Sequence, residues 1–370
     1  MKILMTADPV GGVWTFALEL CTRLAQHGVS VTLATLGAPL SSTQSAAAAA
    51  LPGVELEESA FRLEWMAEPW ADLERAGSWL LQLERVHRPD VVHLNHLVHG
   101  ELPWRAPVLI SGHSCVASWW QAVRGTELPA QWATYTRRVK ISLQAADCVT
   151  APTHAMLAEL RRHYGPLPLA AMVPNGRDRA PFTRGRHKEH LVLCAGRLWD
   201  AAKNARALAV VAPLVDWPVC IAGETVSPDG SRAEIGGMNL HLLGALTPQE
   251  LASWYGRAAI YVLPARYEPF GLTVLEAALS DCALILGDIP SLREVWGDAA
   301  CYVAPDDHLR LQERLEELIW NGAMRMELAA RAADVAARLS PERTAQGYLG
   351  LYCKLTGQPA GSNTIHAARA

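Results

Sequence analysis

One unit repeats along the whole chain, a short apolar run followed by a longer amphipathic segment, and a stretch rich in glycine, proline and charge breaks the repetition once near the middle. KILMT, VSVTLATL, PDVVHLNH, APVLISGH and DCVTAPTH come before the break; LVLCAG, WPVCIAG, LHLLG, AIYVLPA, CALILGD and ACYVAP come after it. Apolar runs of strand length alternating with helical patterns predict parallel strands linked by crossover helices. After the first run, Leu18, Cys21, Leu24 and Ala25 share one helical face, and Gly28 ends the helix. Near residue 247, TPQE supplies an N-cap threonine, a proline at the first helical position and a capping-box glutamate. A chain of 370 residues exceeds the size at which one core keeps growing. Two doubly wound α/β domains facing across a cleft are therefore expected.

The break itself, NGRDRAPFTRGRHKEH at 175–190, gathers charges that predict a linker outside either core. The expected boundaries are 1–178 for the first domain, 179–190 for the linker and 191–340 for the second domain. A terminal helix over about 341–370 is expected to pack back onto the first domain. The Ala-rich stretch STQSAAAAALPG reads equally as a surface helix or a loop.

Composition narrows the function classes. With 33 basic against 37 acidic residues, nothing points to nucleic acid. The eight cysteines are scattered through apolar runs with no CxxC pair, so zinc chelation and disulfide exchange are not expected. They read as small core side chains in a reducing compartment. The start MKILMTAD lacks the long apolar core of a signal peptide, and no apolar stretch approaches ~18 residues, so a cytoplasmic protein is expected.

In open parallel sheets, ligands bind beyond the carboxyl ends of the strands. Gly11 and Gly12 follow the first run, His113 follows PVLIS, Arg197 and Lys203 follow LVLCA, and Glu268 follows AIYVLPA. Two groups come from each domain, which places a site in the cleft. In GRLWDAAKN (196–204) the arginine fork and the lysine near a helix start suit an anion, and solvated loop charges are the plainer alternative. In RYEPFGLTVLE (266–276), Gly271 permits close backbone approach, and the Leu272 and Thr273 amides at a helix start suit a phosphate opposite Arg197 and Lys203. Thr273 to Glu276 also fits a capping box, and Glu268 also fits an exposed turn acid.

EPFGLTVLE, AGRLWDAAKN, VPNGRDRAPF and LREVWGDAACYVAPDD together resemble the GT-B glycosyltransferases of family 4, retaining enzymes that use nucleotide sugars. The resemblance runs from GGVW through RPDVVHLN to the C-terminal helices, and it implies two Rossmann-like domains, the first for acceptor and the second for donor. It further implies that Arg197 and Lys203 contact the donor diphosphate, that Glu276 holds the ribose hydroxyls, and that Glu268 lies by the donor sugar. Gly12 would pack near the phosphates with the segment Phe270, Gly271, Leu272 and Thr273, and His113 would touch the sugar. Arg266 and Tyr267 replace the commoner small residues before the first acid, and Asp281 and Ala283 stand where Gly and Pro are usual.

Glycosyl transfer develops positive charge on the sugar and negative charge on the leaving diphosphate. Arg197, Lys203 and the helix start at Thr273 can take the negative charge without a metal or other cofactor. The PDD at 305–307 reads as a helix cap. The partners expected are a nucleotide-sugar donor and a saccharide, lipid-linked or small-molecule acceptor. Of the thirteen tryptophans, Trp14 and Trp119 are candidates for acceptor contact. Basic residues in RRVK (137–140) and LRRHYG (160–165) suit weak peripheral contact with anionic lipid, and solvated helix faces account for them equally. Among rivals, a dinucleotide-dependent oxidoreductase lacks its GxGxxG after the first run and an acid after the second. A sugar-nucleotide epimerase on the same plan, or a non-catalytic nucleotide-sugar-binding protein, remains as the alternative.

Overall fold

The computed structural model describes residues 1–182, 187–227 and 230–358. Residues 183–186 of the expected linker and 359–370 of the expected terminal helix lie outside them.

The apolar runs before the break form the centre of a seven-stranded parallel sheet. In chain order its strands are β1 (Lys2–Ala7), β2 (Ser30–Thr35), β3 (Val54–Glu58), β4 (Val91–Leu94), β5 (Val108–Ser111), β6 (Cys148–Ala151) and β7 (Leu169–Met172). They lie in the order β3-β2-β1-β4-β5-β6-β7, so the winding reverses between β1 and β4. Strands β3 and β7 were not marked by apolar runs because they are edges. VELEE pairs only with β2, and an edge tolerates its three glutamates.

The runs after the break form a second, six-stranded sheet from β8 (Glu189–Ala195), β9 (Val219–Ala222), β10 (Leu240–Gly244), β11 (Ala258–Leu263), β12 (Ala283–Gly287) and β13 (Cys301–Val303). Their order is β10-β9-β8-β11-β12-β13, with the reversal between β8 and β11. The cap signals act as expected. Thr247 and Glu250 close a reciprocal box on the helix Pro248–Arg257, and Asp307 caps His308–Trp320. The Ala-rich stretch is a helix, Ser42–Ala49, started by a Ser41–Gln44 box. Six of the eight cysteines are buried and all are unbridged.

The helix Pro341–Thr356 returns to the first lobe, where Ala345, Tyr348 and Tyr352 share a core with the helix Gly12–Gln26. The chain therefore crosses between lobes twice, and the crossings touch. The Arg177 amide donates to Leu339 O at 3.2 Å, and a Cβ on Gly176 would lie 2.2 Å from the Ser340 backbone.

The expectation that residues 175–190 stay outside the cores is corrected. Phe182 is buried in the second core, Lys188 Nζ donates to the Tyr255 carbonyl at 2.9 Å, and β8 already begins at Glu189. Arg177 and Lys188 pack because carboxylates meet the first and carbonyls the second, whereas Arg179 and Glu189 stay exposed.

Candidate active-site cleft

Loops from the carboxyl ends of both sheets face each other. A Cβ on Gly12 would come within 3.3 Å of Leu272 Cδ1, and one on Gly11 within 3.6 Å of Arg197 Nη1. The loop after β1 thus meets the loop after β8 and the start of the helix Leu272–Leu279 together. Other contacts close the cleft around it. Trp119 Nε1 donates to Asp200 Oδ1 at 2.9 Å, and Thr153 Oγ1 donates to Pro269 O at 3.0 Å. The Glu294 carboxylate accepts from the His154 and Ala155 amides, capping a first-lobe helix from the second lobe. Tyr267 OH accepts from Ser118 Oγ at 2.8 Å and from the Cys115 amide at 3.2 Å. A residue that departs from the family pattern therefore joins the lobes.

On the second-lobe wall, Lys203 Nζ lies 2.5 Å from Glu268 Oε2, and Glu268 Oε1 accepts from the Gly271 amide at 2.9 Å. The structure thus brings the lysine of the 197–203 loop to the turn that starts the helix. Asn204 fastens this loop by donating to Pro264 O at 2.9 Å, and Arg266 Nη1 donates to Asn204 Oδ1 at 2.5 Å. Arg197 lies over the Trp199 ring, 3.2 Å from Asp200, and its side chain keeps 41% exposure, so its fork remains open to the cleft. Gly271 is the N-cap at φ +90°, a conformation suited to glycine. Beyond it the Leu272 and Thr273 amides have no partner among the described residues, as expected for the first turn of a helix. The Phe270 ring is buried, so only its backbone faces the turn.

The capping box that Thr273 to Glu276 also fits is not made. Gly271 occupies the cap, which leaves Thr273 inside the helix with its hydroxyl accepting from Tyr261 at 2.8 Å. Glu276 instead pairs with Arg177, whose Nε lies 2.9 Å from Oε1. Arg177 Nη1 also donates to Glu19 at 2.7 Å, so one guanidinium serves an acid from each lobe. Burial raises the pKa of Glu276 above the ordinary carboxylate value, and Arg177 opposes the rise.

On the first-lobe wall His113 is half-buried, with Phe16 4.6 Å away edge-on. Its Nε2 lies 2.8 Å from Asn95 Oδ1, and burial pushes its pKa down to about 4. Trp14 is buried in the first core, which leaves no open ring face for an acceptor, and the Trp119 indole N–H is engaged by Asp200.

Sequence reasoning passed over Asp8, Glu64, Asn95, Arg177 and Asp200. Asp8 directly follows β1, and Asn95 directly follows β4, so both flank the point where the winding reverses. That position was a usable signal. Burial, with Glu64 nearby, pushes the Asp8 pKa up to about 7 against the Val10 amide and Arg197. Among the described residues, the one three-residue group with metal-ligand spacing is Glu55, Glu57 and His87 at edge strand β3. Its two carboxylates lie 3.4 and 3.3 Å from different nitrogens of the same ring. No helix among the described residues is long and apolar enough to cross a membrane.

The sequence matches two family descriptions, Glycosyltransferase Family 4 over residues 10–180 and Glycosyl transferases group 1 over residues 189–321. A D-inositol 3-phosphate glycosyltransferase from Streptosporangium roseum is 25% identical, across 94% of this chain and 90% of that protein. Sucrose-phosphate synthase from Thermosynechococcus elongatus superposes with a TM-score of 0.80 at 19% identity, covering 96% of this chain and 99% of the other. HepE from Anabaena, solved with UDP-glucose, superposes at 0.75 with 14% identity, covering 96% and 100%. These structural neighbours share the GT-B fold.

Proposed function

The chain belongs to the family 4, group 1 glycosyltransferases, and from that premise we propose that it moves a hexose from a nucleoside-diphosphate sugar to a saccharide, lipid-linked or small-molecule acceptor, with retention and without a metal. The observation that carries the donor half is the junction of Lys203, Glu268 and the open amides of Leu272 and Thr273, facing Arg197 and the Gly11–Gly12 loop. Two cations and a helix start on one surface form a diphosphate site. HepE, a structural neighbour, holds UDP-glucose, which favours a hexose donor of that class.

In this reading Lys203 keeps one N–H on Glu268 and turns the others to the phosphates, since an ammonium has three donors. As the bond from the anomeric carbon to the diphosphate oxygen breaks, Arg197, Lys203 and the amides meet the charge growing on the leaving group. Glu268 steadies the positive sugar ring. The acceptor attacks on the face the diphosphate leaves, and a donor phosphate oxygen takes the acceptor proton. Glu276 meets the ribose hydroxyls while remaining paired with Arg177.

A thermal-shift series with UDP, GDP, ADP, CDP and TDP tests the donor site. A bound nucleotide at a hundred times its dissociation constant stabilises by about 2.7 kcal/mol. Flat melts with all five would end the proposal. With the donor known, the anomeric configuration of the product tests retention, and turnover undiminished by EDTA tests metal independence. Conversion of donor to an isomeric nucleotide sugar without acceptor would instead establish an epimerase.

A further inference from the structure

Beside the donor site lies a hydrogen-bond chain whose proton positions follow from chemistry alone. Asn95 Nδ2 lies 2.8 Å from the Thr6 carbonyl, which can only accept, so this end of the side-chain amide is the NH2. Its other end, Oδ1, lies 2.8 Å from His113 Nε2 and can itself only accept. The proton on His113 is therefore on Nε2. A second chain holds Asn95 still. His99 Nε2 meets the Leu73 carbonyl at 2.9 Å and must donate, which leaves His99 Nδ1 to accept from His96 Nε2 at 2.9 Å. His96 Nδ1 then accepts from the Thr6 hydroxyl at 2.9 Å, and that hydroxyl accepts from the Asn95 backbone N–H at 2.9 Å. Every donor in the series points one way, and all these groups except His113 are buried. An ordered series of this kind has one low-energy arrangement.

We propose that Asn95 is a positioning residue that locks His113 in the Nε2-protonated neutral tautomer, so that Nδ1 offers the cleft a lone pair and takes a hydrogen from a hydroxyl of the donor sugar. This rests on the glycosyltransferase reading for the identity of the ligand, but not for the tautomer. His113 Nδ1 has no partner among the described residues and is not sealed from solvent. The groups that face the ring are Asn95, the Phe16 ring and His93, and burial keeps His93 itself neutral, its pKa pushed to about 3. A lone pair accepts a sugar O–H and repels a carboxylate, so the sugar group recognised here is a hydroxyl and not the acid of a uronate. A neutral imidazole also adds no positive charge beside a sugar that becomes cationic.

Imidazole 15N–1H correlation spectra across pH 5.5–8, with the His113 signals identified by their loss in His113→Gln, test the lock directly. The expected result is a proton on Nε2 and a bare Nδ1 throughout; a proton on Nδ1 in the wild-type protein overturns the proposal. Asn95→Asp keeps the shape and the oxygen that accepts from His113, gives up the donor to the Thr6 carbonyl, and adds a charge that favours imidazolium, so the pH at which activity returns, and not the loss alone, is the readout. Its His113 should bind a second proton, and its turnover should fall about tenfold at pH 6, the worth of one hydrogen bond. Activity should return as pH rises and that proton leaves. A wild-type rate and pH profile in Asn95→Asp would equally overturn the lock. The wild-type spectrum needs no substrate, so its outcome stands even if every nucleotide fails to bind, a result that sinks the donor assignment alone.

Discussion

Arg177 Nε stands 2.9 Å from Glu276 Oε1 while its Nη1 bonds Glu19, so a residue of the first crossing neutralises one acid in each lobe. Burial raises both carboxylates above their ordinary pKa, and Arg177 restrains the rise. Arg177→Leu keeps an apolar stem beside Phe182 and removes the cation. Breaking a buried pair costs about 3–5 kcal/mol. An acid whose native pKa is raised holds a proton in the folded state that the unfolded chain has lost, so stability falls as pH rises from the unfolded value toward the native one. The variant extends that window upward. Its loss should be large at pH 8 and smaller at pH 5, as urea midpoints at the two pH values will show; equal losses would refute the pairing.

Asp8 gives a pH prediction on its own. Its native pKa of about 7 exceeds the ordinary 3.8, so its contribution to stability is lost progressively as pH rises between these values. Asp8→Asn removes the titration. At pH 8 the variant should exceed the wild type by about 2–4 kcal/mol, and the two should converge near pH 4. Parallel curves from pH 4 to 8 would show that Asp8 ionises freely.

Lys203→Ala withdraws the only side-chain cation bonded to Glu268 among the described residues. Turnover should drop by ~10² and the melting shift with the preferred nucleotide should shrink. Adding Glu268→Gln should recover stability, because the uncompensated charge is gone, but not turnover. Recovery of both would place the diphosphate elsewhere.

Tyr267→Phe removes the hydroxyl that meets Ser118 and the Cys115 amide across the cleft. Leaving those donors without that acceptor costs about 1–3 kcal/mol. The loss falls on lobe closure, so small-angle scattering should report a larger radius of gyration. The nucleotide shift, which depends on the second lobe, should persist. An unchanged radius would show that the tyrosine does not hold the lobes together.

The sequence made the repeating architecture legible because centrally placed parallel strands are apolar on both faces, and LVLCA and AIYVL could be little else. It hid β3 and β7 because an edge strand is free to be charged or half-exposed. The loop carrying Lys203 and the turn carrying Glu268 were legible as neighbours through their common position at strand ends. Whether Thr273 or Gly271 caps the helix was left open by the sequence because both can start one, and only packing decides which does. Arg177 was missed for a different reason. A charge within a run of charges looks solvated until the fold sets Glu19 and Glu276, 257 residues apart in sequence, on either side of it.

The touching crossings at Gly176 and Ser340 bear on how substrates enter and leave. A single connecting strand would let the halves twist, slide and swing; two strands in backbone contact restrain the first two motions and leave the third. Any swing about that double crossing must break the hydrogen bonds of Trp119 to Asp200 and of Ser118 to Tyr267, and closing again returns the same donors to the same acceptors.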